Sequence, residues 1–154
     1  MDLTDLDTLS AMSLNGFSYR FHGFASQSDQ IDGKLIPSLK LTCLAVYNGE
    51  IYQGEEKVCG EVILSVYEGC HKSPKKFLFL EKIEIDPSFR SKGVGSLILN
   101  ELFSYAKRKG CSLAFGDLYD DDDLDGSNKK QRERFYIKNK CSISYDKSRF
   151  WKAL

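Results

Sequence analysis

The chain has 154 residues, 42% hydrophobic and 29% charged, which fits one globular domain spanning residues 1–154 with a core of its own. Lys plus Arg equals Asp plus Glu at 22 each, so no whole-molecule charge draws it to nucleic acid or to an anionic membrane. The acidic start MDLTDLDTLSAMSL lacks the basic-then-apolar pattern of a secretory signal, and no apolar run is long enough to span a bilayer.

Residues 2–12 fit a short helix or a loose arm. NGFSYRFHGF (15–24) is aromatic and alternating, which predicts a strand. SQSDQIDGK (26–34) reads as a polar loop closed by Pro37. LKLTCLAVY (39–47) and KVCGEVILSVYE (57–68) are rich in β-branched and aromatic residues, and Asn48-Gly49 and Gly54 between them signal a turn. The first part is therefore expected to be an antiparallel meander. KKFLFLEKIEI (75–85) predicts a further strand, ended by Asp86-Pro87. Val94, Leu97, Ile98, Leu102, Tyr105 and Ala106 recur at helical spacing through Lys109, with Gly110 as terminator and Lys107, Arg108 and Lys109 complementing the dipole. CSLAFGDLY (111–119) predicts a strand, DDDDLDGSN a loop and NKKQRERFYIKN a helix with few apolar residues. CSISYDKSRFWKAL (141–154) predicts a hairpin turning at Asp146-Lys147. The order implies an α+β or mixed α/β domain.

The stretch with most chemical content is FRSKGVGS, Phe89 to Ser96, between a strand and a helix. The first amides of a helix lack intrahelical partners and, with the macrodipole, attract anions. Gly93 and Gly95 would let a phosphate approach the backbone, with Arg90 and Lys92 adding charge. A tight glycine turn into the helix explains the same residues, and spacing alone does not separate the two. A Walker A loop is absent, and Ile98 stands where a dinucleotide fingerprint would need its third glycine.

IEIDPSFRSKGVGS resembles the acetyl-coenzyme A motif of the GNAT superfamily of N-acetyltransferases, with Arg90, Gly93 and Gly95 in the matching places. NKKQRERFYIKNK resembles that family's Asn…Phe-Tyr helix, with Asn128 and Tyr136 matching. The resemblance runs from about residue 77 to the end, and the meander is compatible with it. It implies a mostly antiparallel twisted sheet of six to seven strands flanked by three to four helices. It also implies that the turn Arg90, Ser91, Lys92, Gly93, Val94, Gly95 and Ser96 holds the pyrophosphate of coenzyme A. The backbones of Ile83 and Ile85 would pair with the pantetheine arm as an added strand would. Asn128 would bond the same arm or cap its helix. Two departures stand out: Lys140-Cys141 replaces the family's usual Gly-Phe, and residues 25–38 occupy the place of two helices that shape the acceptor pocket.

Direct transfer of acetyl to a primary amine requires the amine to lose a proton, the carbonyl to be polarised and the leaving thiolate to be stabilised. Resemblance points to Glu81 as general base, directly or through water, and to Tyr136 as the acid facing the thiolate. Glu84 is the competitor for the base. In an unbroken strand it would face away from Glu81, and a bulge would upset that parity. An exposed strand carboxylate and a core tyrosine are the plain alternatives. A coenzyme A-binding module without turnover is the other functional reading.

Other patterns carry less. Asp121, Asp123, Asp125 and Gly126 open like an EF-hand loop, but its twelfth position is Arg132 and no metal site is expected. A solvated acidic loop, or one that attracts a cationic amine, fits better. The run Lys129, Lys130, Arg132, Arg134, Lys138, Lys140 reads first as a solvated helix face, then as a contact for cofactor phosphate, and last as a nucleic-acid surface. The five cysteines (43, 59, 70, 111, 141) show no CxxC pair or zinc-like spacing, as expected of reduced thiols in a cytoplasmic protein. His22 and His71 suggest no metal pair. The acceptor amine and the oligomeric state stay open, a paired-strand homodimer being common in the family.

Overall fold

The computed structural model describes residues 12–14, 17–31, 34–47, 56–68, 75–118 and 127–154. One eight-stranded sheet has the order β1-β2-β3-β4-β5-β6-β8-β7. Its strands are β1 (Met12–Leu14), β2 (Phe17–Ile31), β3 (Lys34–Tyr47), β4 (Glu56–Glu68), β5 (Lys76–Ile85), β6 (Cys111–Asp117), β7 (Ser142–Ile143) and β8 (Arg149–Ala153). Helix α1 (Val94–Arg108) joins β5 to β6, and α2 (Ser127–Lys138) lies between β6 and β7. All neighbours are antiparallel except β5 and β6. A parallel pair needs a crossover, and the helical run from Val94 supplies it. The mixed architecture is the expected one. The sheet has eight strands where six to seven were expected, β1 being too short to carry a periodic signal. Among the described residues there are two α-helices.

Residues paired directly across strands share a face. Leu39, Leu64, Leu80, Gly116 and Phe150 thus form one row through β3, β4, β5, β6 and β8, and all are buried. Helix α1 lays Val94, Ile98, Leu99, Leu102, Phe103 and Ala106 into the same core. Tyr136 of α2 stacks on Phe150 with ring centroids 3.6 Å apart and 9° between planes, so both helices cover this face. Burying each large apolar side chain contributes about 1.5–3 kcal/mol, which makes this row the anchor of the sheet. Gly116 is required in it. A Cβ there would lie 2.5 Å from the Leu80 carbonyl oxygen and 2.6 Å from the Phe150 ring. The opposite face carries Lys40, Ile63 and Lys82 in one row and Thr42, Glu61 and Glu84 in the next, all half-buried or exposed.

Two local features depart from the sequence expectation. Of residues 26–34, those described, 26–31 and Lys34, are strand and not loop. β2 and β3 continue as one long hairpin in which Gln30 pairs with Leu35 and Ile31 with Lys34, beyond the point where β4 joins at Ser38. A hairpin satisfies its backbone groups between its own two strands, so it can run on without the apolar alternation that announces a buried strand. Second, β5 is bulged. Leu80 pairs with Leu64 and Lys82 with Ile63, leaving Glu81 as the extra residue. The proposed arm or helix at 2–12 falls almost wholly outside the described residues, as does the acidic loop 120–125.

Candidate active site

The site is built where β5 leaves β6. Their pairing runs from Lys76 to Leu80 and stops at Leu80–Gly116. Beyond it, Asp117 of β6 pairs with Arg149 of β8, while Lys82–Ile85 keep only β4. Among the described residues, one edge of β5 from Glu81 to Ile85 therefore has no strand beside it, although it lies in the middle of the sheet. A cleft of about 1170 Å³ opens there. It is lined from the helical face by Ile85, Gly95, Phe135 and Tyr136, and from the other face by Ile63, Lys82 and Glu84. The cleft is thus lined by residues of both faces of the sheet.

A tightly bonded turn closes one end. The Asp86 amide donates to the Cys59 carbonyl at 2.8 Å, fixing the end of β5 to β4. The Asp86 carboxylate accepts from the Ser88 amide at 3.0 Å and from the Ser88 hydroxyl at 2.6 Å. These two bonds hold its pKa below the usual carboxylate range. Pro87–Phe89 form one 3₁₀ turn, and Arg90 folds back so that its Nε donates to the Ile85 carbonyl at 2.8 Å. Ser91 (φ 60°) and Gly93 (φ 82°) are left-handed. Backbone turned this way gathers successive N–H groups into an anion-binding concavity. Gly93 caps α1 without any side-chain bond, and the first helical bond is Leu97 N–H to the Gly93 carbonyl at 3.0 Å. The amides of Val94, Gly95 and Ser96 therefore have no acceptor within the helix.

The cleft brings together Glu81, Ile83, Ile85, Arg90, Ser91, Gly93, Gly95, Ser96 and Tyr136. Two predicted residues point elsewhere, and a third is described only in its backbone. Lys92 is exposed, with its ammonium 5.9 Å from the centroid of the Phe89 ring. The Val94 side chain is in the core, so only its backbone can face the turn. Asn128 is in the first turn of α2, and its side chain is outside the described residues.

The two carboxylates differ in their engagements rather than in their face. Glu84 is bound by Lys82 at 2.9 Å, and Lys82 also reaches Glu61 at 3.7 Å. Lys40 completes a chain of alternating charges at 3.5 Å from Glu61. Glu81, the bulged residue, is exposed and has no ion pair with another described residue. Tyr136 is buried to 5% exposure, and that burial pushes its hydroxyl pKa up, with Cys141 adding to the shift. The hydroxyl is therefore a proton donor throughout the physiological range.

Arg132, Phe135, Lys138 and Asn139 belong to this region and were not singled out as site residues by sequence. Arg132 and Lys138 line the cleft, and Arg132 donates to the Leu118 carbonyl at 3.4 Å. Their signal was present, since both stand in the basic run beside Tyr136.

Residues 15–127 match the profile of the Acetyltransferase (GNAT) family. The chain belongs to that family. A search of curated proteins gives no match. Among solved structures, this GNAT chain is similar in fold to Arabidopsis thaliana NAA60 in complex with a bisubstrate analogue, with 9% identity, TM-score 0.53 and 76% of each chain covered. It is similar to the KacTA–DNA complex at 11% identity and TM-score 0.52, covering 75% of this chain and 67% of that one. A GCN5-related glucosamine N-acetyltransferase region of a fungal multi-domain GH3 β-N-acetylglucosaminidase matches at 16% identity and TM-score 0.53. That match covers 70% of this chain and 12% of the other.

The GNAT glycines have separate duties here. Among the described residues, a Cβ on Gly93 would meet Leu14 alone, at an ordinary 3.6 Å, so its need for glycine is the left-handed backbone. A Cβ on Gly95 would lie 3.2 Å from Phe135 and 3.5 Å from Ile85, so its bareness lets α1, α2 and β5 meet. The departure at Lys140 also has a physical reading. Lys140 takes φ 64° just past α2, its amide bonds to the Ile137 carbonyl at 2.9 Å, and the Cys141 amide bonds to the Tyr136 carbonyl at 2.9 Å. That is the Schellman ending in which glycine is usual, so a lysine here carries the strain that the family's glycine avoids.

Proposed function

We propose that the chain transfers the acetyl group of acetyl-coenzyme A to a primary amine by direct attack in a ternary complex. The observation that carries this reading is the conjunction of the parted strand and the anion turn at its end. The free amides of Val94, Gly95 and Ser96 suit a pyrophosphate, and the unpaired edge of Glu81–Ile85 suits a pantetheine arm lying as an added strand. Free N–H groups on that same edge are the available donors for polarising a thioester carbonyl. Bound there, the cosubstrate supplies an activated acetyl group; the chain orients it and manages two protons.

The first proton is the amine's. An ordinary alkyl ammonium has a pKa of about 10.4, so roughly one molecule in a few thousand is neutral at pH 7. Glu81, exposed at the mouth on the helix-free face, is placed to take that proton directly or through water. Glu84 suits the task less because Lys82 already holds it. The second proton concerns the leaving sulfur. Burial disfavours the tyrosinate, so Tyr136 stabilises a thiolate by donating a hydrogen bond rather than by surrendering its proton outright.

The amine would arrive from the face opposite α1 and α2, past Ile63, Lys82 and Glu84. This is an open mixed surface of apolar and charged groups, which favours an acceptor bound by its surroundings, such as the amine of a polypeptide, over one held in a closed acidic pocket. The four described cysteines, Cys43, Cys59, Cys111 and Cys141, are free and buried, in keeping with the cytoplasmic location we propose. The test is thiol release from acetyl-coenzyme A with a panel of peptides, polyamines, amino acids and aminoglycosides. Release with one class supports the reading. Coenzyme A binding with no release on any acceptor would favour the module without turnover.

A further inference from the structure

Asn139 lies just beyond α2, near the end of the helix that carries Tyr136, and is among the few buried polar residues, at 8% exposure. Its amide nitrogen donates to the Phe135 carbonyl at 2.8 Å and to Ser96 Oγ at 3.1 Å. A peptide carbonyl has no proton to give, so the bond to Phe135 requires the nitrogen, not the oxygen, on that side. Asn139 Oδ1 accepts from Asn100 Nδ2 at 3.1 Å, and the same Asn100 nitrogen donates to the Ser96 carbonyl at 2.8 Å. Here too a carbonyl fixes the orientation. The direction of every bond in the group then follows. Ser96 Oγ receives a proton from Asn139, and its own hydroxyl proton is left to donate. Ser96 lines the cleft in the first turn of α1, beside the amides that have no acceptor within the helix.

We infer that Asn139 is a positioning residue. It ties the end of the helix bearing Tyr136 to the head of α1, and it holds the Ser96 hydroxyl as a donor toward an anionic group seated on the turn. The inference rests on the reading of that turn as a pyrophosphate cradle. It adds that the cradle has a side-chain donor whose direction is set from another helix. Lys152 strengthens the same junction by donating to the Asn139 carbonyl at 3.1 Å.

Calorimetric titration with coenzyme A and with pantetheine, which has the thiol arm but no phosphate, tests this on wild type, Asn139→Asp, Ser96→Ala and the double variant. Asn139→Asp keeps the shape but replaces the donor with an acceptor, so the Ser96 proton turns to the carboxylate. Each single variant is expected to weaken coenzyme A by about tenfold, the usual worth of one bond to a charged group, with pantetheine affinity within about twofold of wild type. The double variant should be no weaker than Asn139→Asp alone, because the bond it would remove is already lost. Losses that multiply, or equal weakening of both ligands, would overturn the inference and make Asn139 a structural residue only. Should Asn139→Asp fail to fold, Ser96→Ala decides alone, and unchanged coenzyme A affinity overturns the inference. Wild type that binds coenzyme A while the variants match it sinks only this inference. Wild type that binds neither ligand sinks the cradle reading and this inference with it.

Discussion

The two ends of the cleft are made differently. At the turn, what is offered to a ligand is backbone. The free amides, two left-handed residues and two bare glycines are locked by Asp86, Arg90 and the Cys59 carbonyl. At the other end it is side chains on a bulge, where Glu81, Lys82 and Glu84 are exposed on an open face. Backbone sites tolerate many sequences as long as the turn can form. Side-chain sites change with each substitution, which suits a scaffold that keeps one cosubstrate and varies its acceptor.

Five variants would break or sharpen this contrast. Gly95→Val should do the most damage at the backbone end, because its side chain must displace Phe135 and Ile85. Overpacking of about 1–3 kcal/mol concentrated at the cradle should weaken coenzyme A by up to about a hundredfold in calorimetry. Glu81→Gln should lower kcat by about a hundredfold while leaving the coenzyme A Kd unchanged. Glu84→Gln beside it should stay within about twofold in the same steady-state assay, and the reverse ranking would transfer the role of base to Glu84.

Tyr136→Phe should reduce kcat by about tenfold, the worth of one hydrogen bond to a developing thiolate. Its pH dependence has a definite sign. Burial raises the Tyr136 pKa above the ordinary value of about 10, so the donor persists below that pH and is lost only above it. An alkaline fall in kcat with a midpoint below 9 that disappears in Tyr136→Phe would contradict the raised pKa, and a wild-type kcat in Tyr136→Phe would contradict the role. The smallest effect is outside the chemistry. Lys140→Gly should raise stability by about 1 kcal/mol by relieving the left-handed lysine, seen as a higher Tm with kcat unchanged.

Legibility in the sequence follows the same division. The turn and α1 could be read because they depend on local spacing: a strand end, two glycines and a helical period; Tyr136 is nominated by resemblance alone. Glu81 could be nominated, but its geometry could not be derived. Strand parity would put Glu84 on the other face, and the bulge that cancels this argument is set by pairing with Ile63 and Leu64, about twenty residues earlier. The strand pairing of 26–31 with 34–38 was missed because its polar residues answer to backbone pairing alone. Asn139 was passed over inside the quoted FYIKNK segment, since its importance comes from Ser96 and Asn100 on another helix. Lys92 and Val94 differ in another way: Lys92 is exposed beside the Phe89 ring, while Val94 buries its side chain and leaves only its backbone toward the turn. A motif names consecutive residues, while a turn presents them in different directions.

The parting of β5 from β6 has a consequence for the empty protein. It leaves part of β5, Glu81–Ile85, with no described strand along one edge, where only the Ile85 carbonyl is taken up, by Arg90, and such edges invite pairing with other chains. A bound pantetheine arm would cover that edge. The chain should therefore aggregate more slowly when saturated with coenzyme A, by more than the gain in folding stability from mass action alone would explain. On this view the cosubstrate also completes the sheet.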